Sequence, residues 1–261
     1  MADKLQGTTV LVTGGAGGLG KVIATAYLNE GANVVVCDIN EERLQQVRGE
    51  LESIGRFLAV NTDITDEFAV NKLVDTTVTK FGRLDIVVSN AGMTDKFDPV
   101  GSLSKEHWDR IINLNLTGSF LIFKAAVNAM QKQSPSGGTI IQIGSTASWH
   151  GTAAGAAYTA SKHGVAALVK NTAGFYEGKG IYSIGLSIGA MIDTNIQDGF
   201  KVLGGFNTEA YALSISANFE PERQAVQLKD VAKYCVFLAD RDIAATANGT
   251  MITFNKNHPR A

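Results

Sequence analysis

The chain has 261 residues, 45% of them hydrophobic and 18% charged, enough for one large α/β domain or two small ones with a full core. Its 23 Lys and Arg against 25 Asp and Glu leave a formal charge of -2. With the basic residues scattered, nothing is in excess to neutralise nucleic-acid or anionic-membrane phosphates. The two cysteines, Cys37 and Cys235, fit no disulfide framework or metal-ligand spacing. The polar start MADKLQG has no signal-peptide pattern, and no apolar run reaches about 18 residues. The expectation is a cytoplasmic protein without a membrane span, its thiols reduced and buried.

Taken in chain order, seven short, β-branched and mostly apolar runs stand out: 8–14, 33–38, 55–61, 83–92, 138–145, 181–188 and 250–254. Continuous apolar runs suit strands buried on both faces, as in a parallel sheet. Between them lie segments with helical spacing at 18–30, 40–53, 66–81, 104–130, 156–177 and 229–239. This alternation predicts a single domain, a Rossmann-like doubly wound parallel sheet with helices on both faces. The stretch 189–227, rich in Gly and Asn, breaks the rhythm after the sixth strand. Ligands of open α/β sheets bind beyond the carboxyl ends of strands, so this stretch reads as a substrate lid, or else as two ordinary surface helices. Its Met191, Phe200, Leu203, Phe206, Tyr211 and Leu213 would give a mostly apolar pocket and a hydrophobic substrate.

The first strand–turn–helix–strand unit, 10–40, carries Gly14, Gly18 and Gly20 in TGxxxGxG spacing. Glycines there permit a tight turn and let a pyrophosphate approach the amides of a helix N-terminus. Asp38, at the end of the second strand, sits where a carboxylate accepts hydrogen bonds from an adenosine ribose. The bland alternative is that Asp38 or Asn40 caps the next helix. A carboxylate there repels a 2′-phosphate, and no Arg or Lys lies in the glycine loop or directly after Asp38, so the cofactor expected is NAD rather than NADP.

With TGGAGGLG (13–20), Asp63 in NTDITD, NAG (90–92), Asn115 in NLNLTG, Ser145, and Tyr158 with Lys162 as YxxxK, the sequence resembles the short-chain dehydrogenase/reductases across nearly its whole length. The resemblance implies that the cofactor runs over Gly14, Ala16, Gly17, Gly18, Leu19 and Gly20, then Asp38 and Ile39. It puts Asp63 and Ile64 beside the adenine, and Asn90, Ala91 and Gly92 along the cofactor. Gly189, Ile192 and Thr194 fall near the nicotinamide, together with Tyr158 and Lys162. It also implies a homo-oligomer, a tetramer. Three departures stand out: Ile188-Gly189 replaces the usual Pro-Gly, leaving that turn less rigid; Gly144 precedes Ser145 where another Ser is common; and FNKNHPRA ends the chain where Asp-Gly-Gly is common.

Interconverting a secondary alcohol and a ketone moves a proton as well as a hydride. Tyr158 and Lys162 lie four residues apart, on one helix face. A free tyrosine titrates near pH 10, so bringing it to about 7 needs roughly 4 kcal/mol. One cation about 4 Å away, at an effective dielectric of about 20, supplies roughly that, while burial of the tyrosine opposes it. Tyr158 then reads as the acid/base and Lys162 as the residue that tunes it. Ser145, at a strand end, can hold the substrate oxygen. Asn115 serves a water relay by resemblance, with a plain helix-carbonyl bond as the alternative. Trp149 and His150 line the pocket or anchor a loop. No metal is expected, because His107, His150, His163 and His258 show no ligand spacing. Two rival functions remain: a non-catalytic NAD-binding regulator, and an epimerase or dehydratase on the same fold.

Overall fold

The computed structural model describes residues 4–259; positions 1–3 and 260–261, the outer ends of the MADKLQG and FNKNHPRA segments, lie outside the described residues. Each of the seven apolar runs forms a strand: β1 (Thr9–Thr13), β2 (Asn33–Asp38), β3 (Phe57–Asn61), β4 (Ile86–Ser89), β5 (Gly138–Ile143), β6 (Ile181–Ile188) and β7 (Met251–Phe254). They pair in parallel in the order β3-β2-β1-β4-β5-β6-β7. The order reverses between β1 and β4, and the crevice at that switch point is where open α/β sheets take ligands.

Alternation along the strands feeds two cores. Val10 and Val12 of β1, with Val34 and Val36 of β2, face one layer, and Leu11 and Val35 face the other. The first layer holds α1 (Gly18–Asn29) and α2 (Glu41–Leu51). On the opposite face lie α3 (Glu67–Phe81), α4 (Lys105–Ile112), α5 (Ser119–Lys132) and α6 (Ala156–Tyr176). Asn40, Asp66 and Ser104 cap α2, α3 and α4 by accepting backbone N–H bonds, which fixes where each helix begins.

Between α4 and α5 the backbone widens into one π-helical turn, Asn113–Gly118, so 105–132 runs as one continuous helix. By length and hydropathy alone that helix could cross a membrane, which a count of uninterrupted apolar residues does not reveal. In the fold, 56% of its most apolar 18-residue window is buried, with Leu121, Ile122, Phe123 and Met130 in the second core.

The 189–227 stretch forms three short helices, α7 (Asp198–Val202), α8 (Thr208–Leu213) and α9 (Pro221–Gln224). After it, α10 (Leu228–Phe237) packs on α1, where the Tyr27 hydroxyl donates to the Cys235 carbonyl at 2.6 Å. Both cysteines are buried free thiols. A further helix, α11 (Arg241–Thr246), capped by Asp240, precedes β7. It is too short for its spacing to register in the sequence.

Candidate active site

The glycine turn closes the carboxyl end of β1. Gly14 has φ +63, in the left-handed region that glycine adopts without strain. At Gly20 a Cβ would lie 2.2 Å from the Gly14 carbonyl oxygen, so α1 can sit this close to the turn only without a side chain. Leu19 and Ala16 bury their side chains under the turn. No described side chain caps the first turn of α1, whose N-cap is Gly17. Its N–H groups therefore face the crevice as a ready anion site.

The turn is stitched to β4. Thr13 Oγ1 accepts the N–H groups of Asn90 and Ala91, both at 3.0 Å, and Asn90 Nδ2 donates to the Thr13 carbonyl at 2.9 Å. At Gly92 a Cβ would lie 3.1 Å from Asn115 Oδ1. Asp38 ends β2 with its carboxylate accepting from Ala16 N at 3.4 Å and Asn40 N at 3.0 Å. The cap of α2 is Asn40, whose Oδ1 accepts from Arg43 N. Asp38 is thereby left to face the crevice, with Ile39 exposed beside it. The donor set fits a dinucleotide: amides for a pyrophosphate and a carboxylate for a ribose.

Asp63 is exposed and holds the N–H and hydroxyl of Thr65 in a local turn. Ile64 is buried in the second core, its Cδ1 so close to the α5 approach that a Cβ at Gly118 would lie 2.8 Å away. The Ile64 side chain is committed to that core and not to the crevice.

At the turn after β6, where Ile188-Gly189 stands in place of Pro-Gly, the strand pairing continues. Ile188 is a buried strand residue paired with Phe254, and Gly189 N donates to the Phe254 carbonyl at 2.8 Å. Pairing with β7 holds this turn in place of proline.

Ser145, Tyr158 and Lys162 meet at the carboxyl end of β5. The Ser145 side chain lies within hydrogen-bonding reach of Tyr158, and its Oγ accepts from Ala147 N at 3.1 Å. Lys162 Nζ lies 5.4 Å from the Tyr158 ring centroid and donates to the Ile143 carbonyl at 3.1 Å. Tyr158 is only 8% exposed and Lys162 5%.

Burial decides the charges. It pushes the Tyr158 hydroxyl up to about 12; the Ser145 hydrogen bond works against the rise and the Asp95 carboxylate adds to it. Burial also brings the Lys162 ammonium down to about 8. Lys162 does not depress Tyr158 here: burial dominates both groups, and an ammonium that loses its proton near 8 is neutral before a hydroxyl near 12 titrates.

Asn115 lies in the π turn. Its Oδ1 accepts from Met93 N at 2.9 Å, and its Nδ2 donates to the Met93 carbonyl at 2.9 Å and to Ser161 Oγ at 3.2 Å. The side chain ties the β4 exit to the helix that carries Lys162. The His150 and Trp149 rings touch with centroids 4.0 Å apart, tilted by 41°.

The lid stretch lies down on this cluster. Leu203 is buried with Ile111, Ala157 and Tyr158. Asn195 reaches the glycine turn, where a Cβ at Gly17 would lie 2.9 Å from its Oδ1, and one at Gly18 3.4 Å from the Thr194 Cα. Phe97, from the β4 exit loop, packs edge-on against Phe206 and Tyr211, and Phe206 against Phe200. Asn207 Nδ2 donates to Asp98 Oδ1 at 2.8 Å. Leu213, expected in the pocket, is 86% exposed at the end of α8 and faces away; the six-residue helix has one inner side, which Tyr211 takes. Ile192 is also exposed, beside Met191, which packs on the first core.

Four groups at this site gave no sequence signal: Asp95, Asn195, and the pair Arg43 and Asp198. Each acts on a partner tens of residues away or more, and no local spacing records that.

Comparison with known proteins agrees with this geometry. A family model described as short chain dehydrogenase matches residues 8–201. The chain is 43% identical over 250 residues to the short chain dehydrogenase/reductase dpchG of Colletotrichum higginsianum, covering 95% of this chain and 92% of that protein. It is 31% identical to 3beta-hydroxysteroid dehydrogenase 2 of Eggerthella lenta, covering 96% and 94%. The solved 3-ketoacyl-(acyl-carrier-protein) reductase of Brucella melitensis, complexed with NADH, superposes with TM-score 0.82 at 26% identity, covering 98% and 99% of the two chains.

Proposed function

Because the chain belongs to the short-chain dehydrogenase/reductase family of oxidoreductases, we propose that it interconverts a hydrophobic secondary alcohol and its ketone with NAD. The observation that carries this reading is the Ser145–Tyr158–Lys162 cluster at the sheet's carboxyl edge, under the lid and beside the glycine turn.

The nicotinamide ring supplies or accepts the hydride when bound. The amides of α1 hold the pyrophosphate, and Asp38 accepts from the adenosine ribose and disfavours a 2′-phosphate. Ser145, whose Oγ accepts from Ala147 N, can turn its hydroxyl proton from Tyr158 to the substrate oxygen. Tyr158 gives its hydroxyl proton to a ketone oxygen or takes one from an alcohol. Lys162 stabilises the phenolate form, and Asn115 keeps the lysine-bearing helix in register with the β4 exit, beside the route by which a proton reaches solvent.

The apolar surroundings of Tyr158, with Ile111 and Leu203 buried and Met93, Ile196 and Ile215 half-buried, support a hydrophobic substrate. The hydroxysteroid dehydrogenase among the relatives supports the same class. The test is turnover of NAD with a panel of cyclic secondary alcohols, read by nicotinamide absorbance, beside NADH and NADPH binding by fluorescence. Turnover with tighter NADH binding is expected. Normal NADH binding with no turnover on any alcohol would favour a non-catalytic regulator.

A further inference from the structure

Asp95 is three residues past the NAG segment and is 1% exposed. Its Oδ1 accepts from Phe97 N and from Gly155 N, both at 3.0 Å, and its Oδ2 accepts from Tyr158 N at 2.9 Å. All three partners are donors, so the bonds favour the ionised carboxylate, against the burial and the nearby Asp98 charge that raise the carboxyl. Gly155 is the N-cap of α6 and no local side chain caps it. The capping anion arrives from 60 residues upstream in the sequence.

The fit is close, since a Cβ on Gly155 would lie 2.5 Å from Asp95 Oδ2. Phe97 is held at φ +69, a left-handed conformation rare for an aromatic residue, with its N–H on Asp95 and its ring between Phe206 and Tyr211. The β4 exit loop is thereby shaped around this one carboxylate.

We propose that Asp95 is a positioning residue for Tyr158: its carboxylate clamps the first turn of α6 through the Gly155 and Tyr158 N–H groups and sets a negative charge against the tyrosine, opposite in sign to Lys162. This rests on Tyr158 being the acid/base, as proposed above. The groups facing Tyr158 are few. Lys162 comes from its own helix and Ser145 from the end of β5. Asp95 comes from the β4 exit, with Asp98 behind it. Ile111 of α4 and Leu203 of the lid are apolar. Asp95 is thus the one carboxylate bonded to the tyrosine's own backbone, and its charge raises the Tyr158 hydroxyl in the same direction as burial does, against the Ser145 side chain.

The experiment is a pH titration by NMR of protein carrying 13Cζ-labelled tyrosine, with NAD present at saturation. The Tyr158 resonance is assigned by its loss in Tyr158→Phe. In Asp95→Asn, which keeps the side-chain shape and the acceptor for Phe97 N and Gly155 N but removes the charge and the acceptor for Tyr158 N, the Tyr158 titration should move down by about one pH unit. The other tyrosines should stay in place and NADH affinity should remain within about twofold. An unmoved Tyr158 in a folded variant would overturn the proposal and leave Asp95 as an ordinary helix cap.

If the Asn variant does not fold, Asp95→Thr keeps a hydroxyl acceptor at the cap and carries the same comparison. Failure of both to fold would also overturn the proposal, since the carboxylate would then be a folding determinant. The titration needs no turnover. A protein inactive on every alcohol would sink the catalytic reading of Tyr158 and still allow the Asp95 shift to be measured.

Discussion

Arg43 of α2 and Asp198 of α7 meet at 2.6 Å, joining the helix that follows Asp38 to the stretch that follows β6. Both side chains are partly exposed, so the pair contributes about 0–1 kcal/mol to overall stability. Arg43→Ala should leave the melting temperature nearly unchanged and speed NADH release by a few fold, read by stopped-flow displacement. An unchanged release rate would show that the lid opens without breaking this pair. The Arg43 hydrogen bond holds the Asp198 carboxyl below its usual range. The tether is therefore complete above the ordinary carboxylate pKa of about 4 and is lost only as pH falls through the lower, folded value.

Replacing Tyr158 with Phe removes only the hydroxyl. Turnover of any alcohol substrate should fall by about 1,000-fold or more, while NADH affinity stays within about twofold. Loss of the Ser145 hydrogen bond should cost about 1 kcal/mol of stability. Residual turnover near the wild-type rate would assign the acid/base elsewhere.

Lys162 is buried at a cost. Its ammonium titrates at about 8 in the fold against 10.5 for the free side chain, so the folded state binds this proton less tightly. The unfolded chain therefore carries more protons between these two values, and stability rises with pH across that window. The raised Tyr158 hydroxyl binds its proton more tightly in the fold and reverses the trend above about pH 10. Lys162→Met should raise the neutral-pH stability of the cofactor-free protein by roughly 1–3 kcal/mol while removing activity. Urea denaturation at pH 7 measures it. A destabilised Met variant would mean that the bond to the Ile143 carbonyl outweighs desolvation.

Asp38→Asn keeps one acceptor, enough for the Asn40 N–H but not also for the longer bond from Ala16 N, and removes the charge that repels a 2′-phosphate. The preference for NADH over NADPH should fall by about tenfold or more, about 1.4 kcal/mol. Fluorescence titration of both cofactors reads this directly. An unaltered ratio would move cofactor choice away from Asp38.

The strands, the longer helices and the crevice at β1 and β4 were legible in the residues, because apolar period and glycine spacing are local properties that a parallel α/β sheet imposes on its chain. The four-residue step from Tyr158 to Lys162 and the carboxylate at the end of β2 were legible for the same reason. The tertiary structure alone decided what depends on distant partners. It sent Ile64 into the core beside Gly118, turned Leu213 to solvent, and let β7 hold the turn at Gly189. It also brought Asp95 onto the N-terminus of α6 and buried Tyr158 until its hydroxyl rose rather than fell. Helix and strand periods are written in neighbouring residues, whereas desolvation and Coulomb energy depend on distances that exist only once the chain has folded.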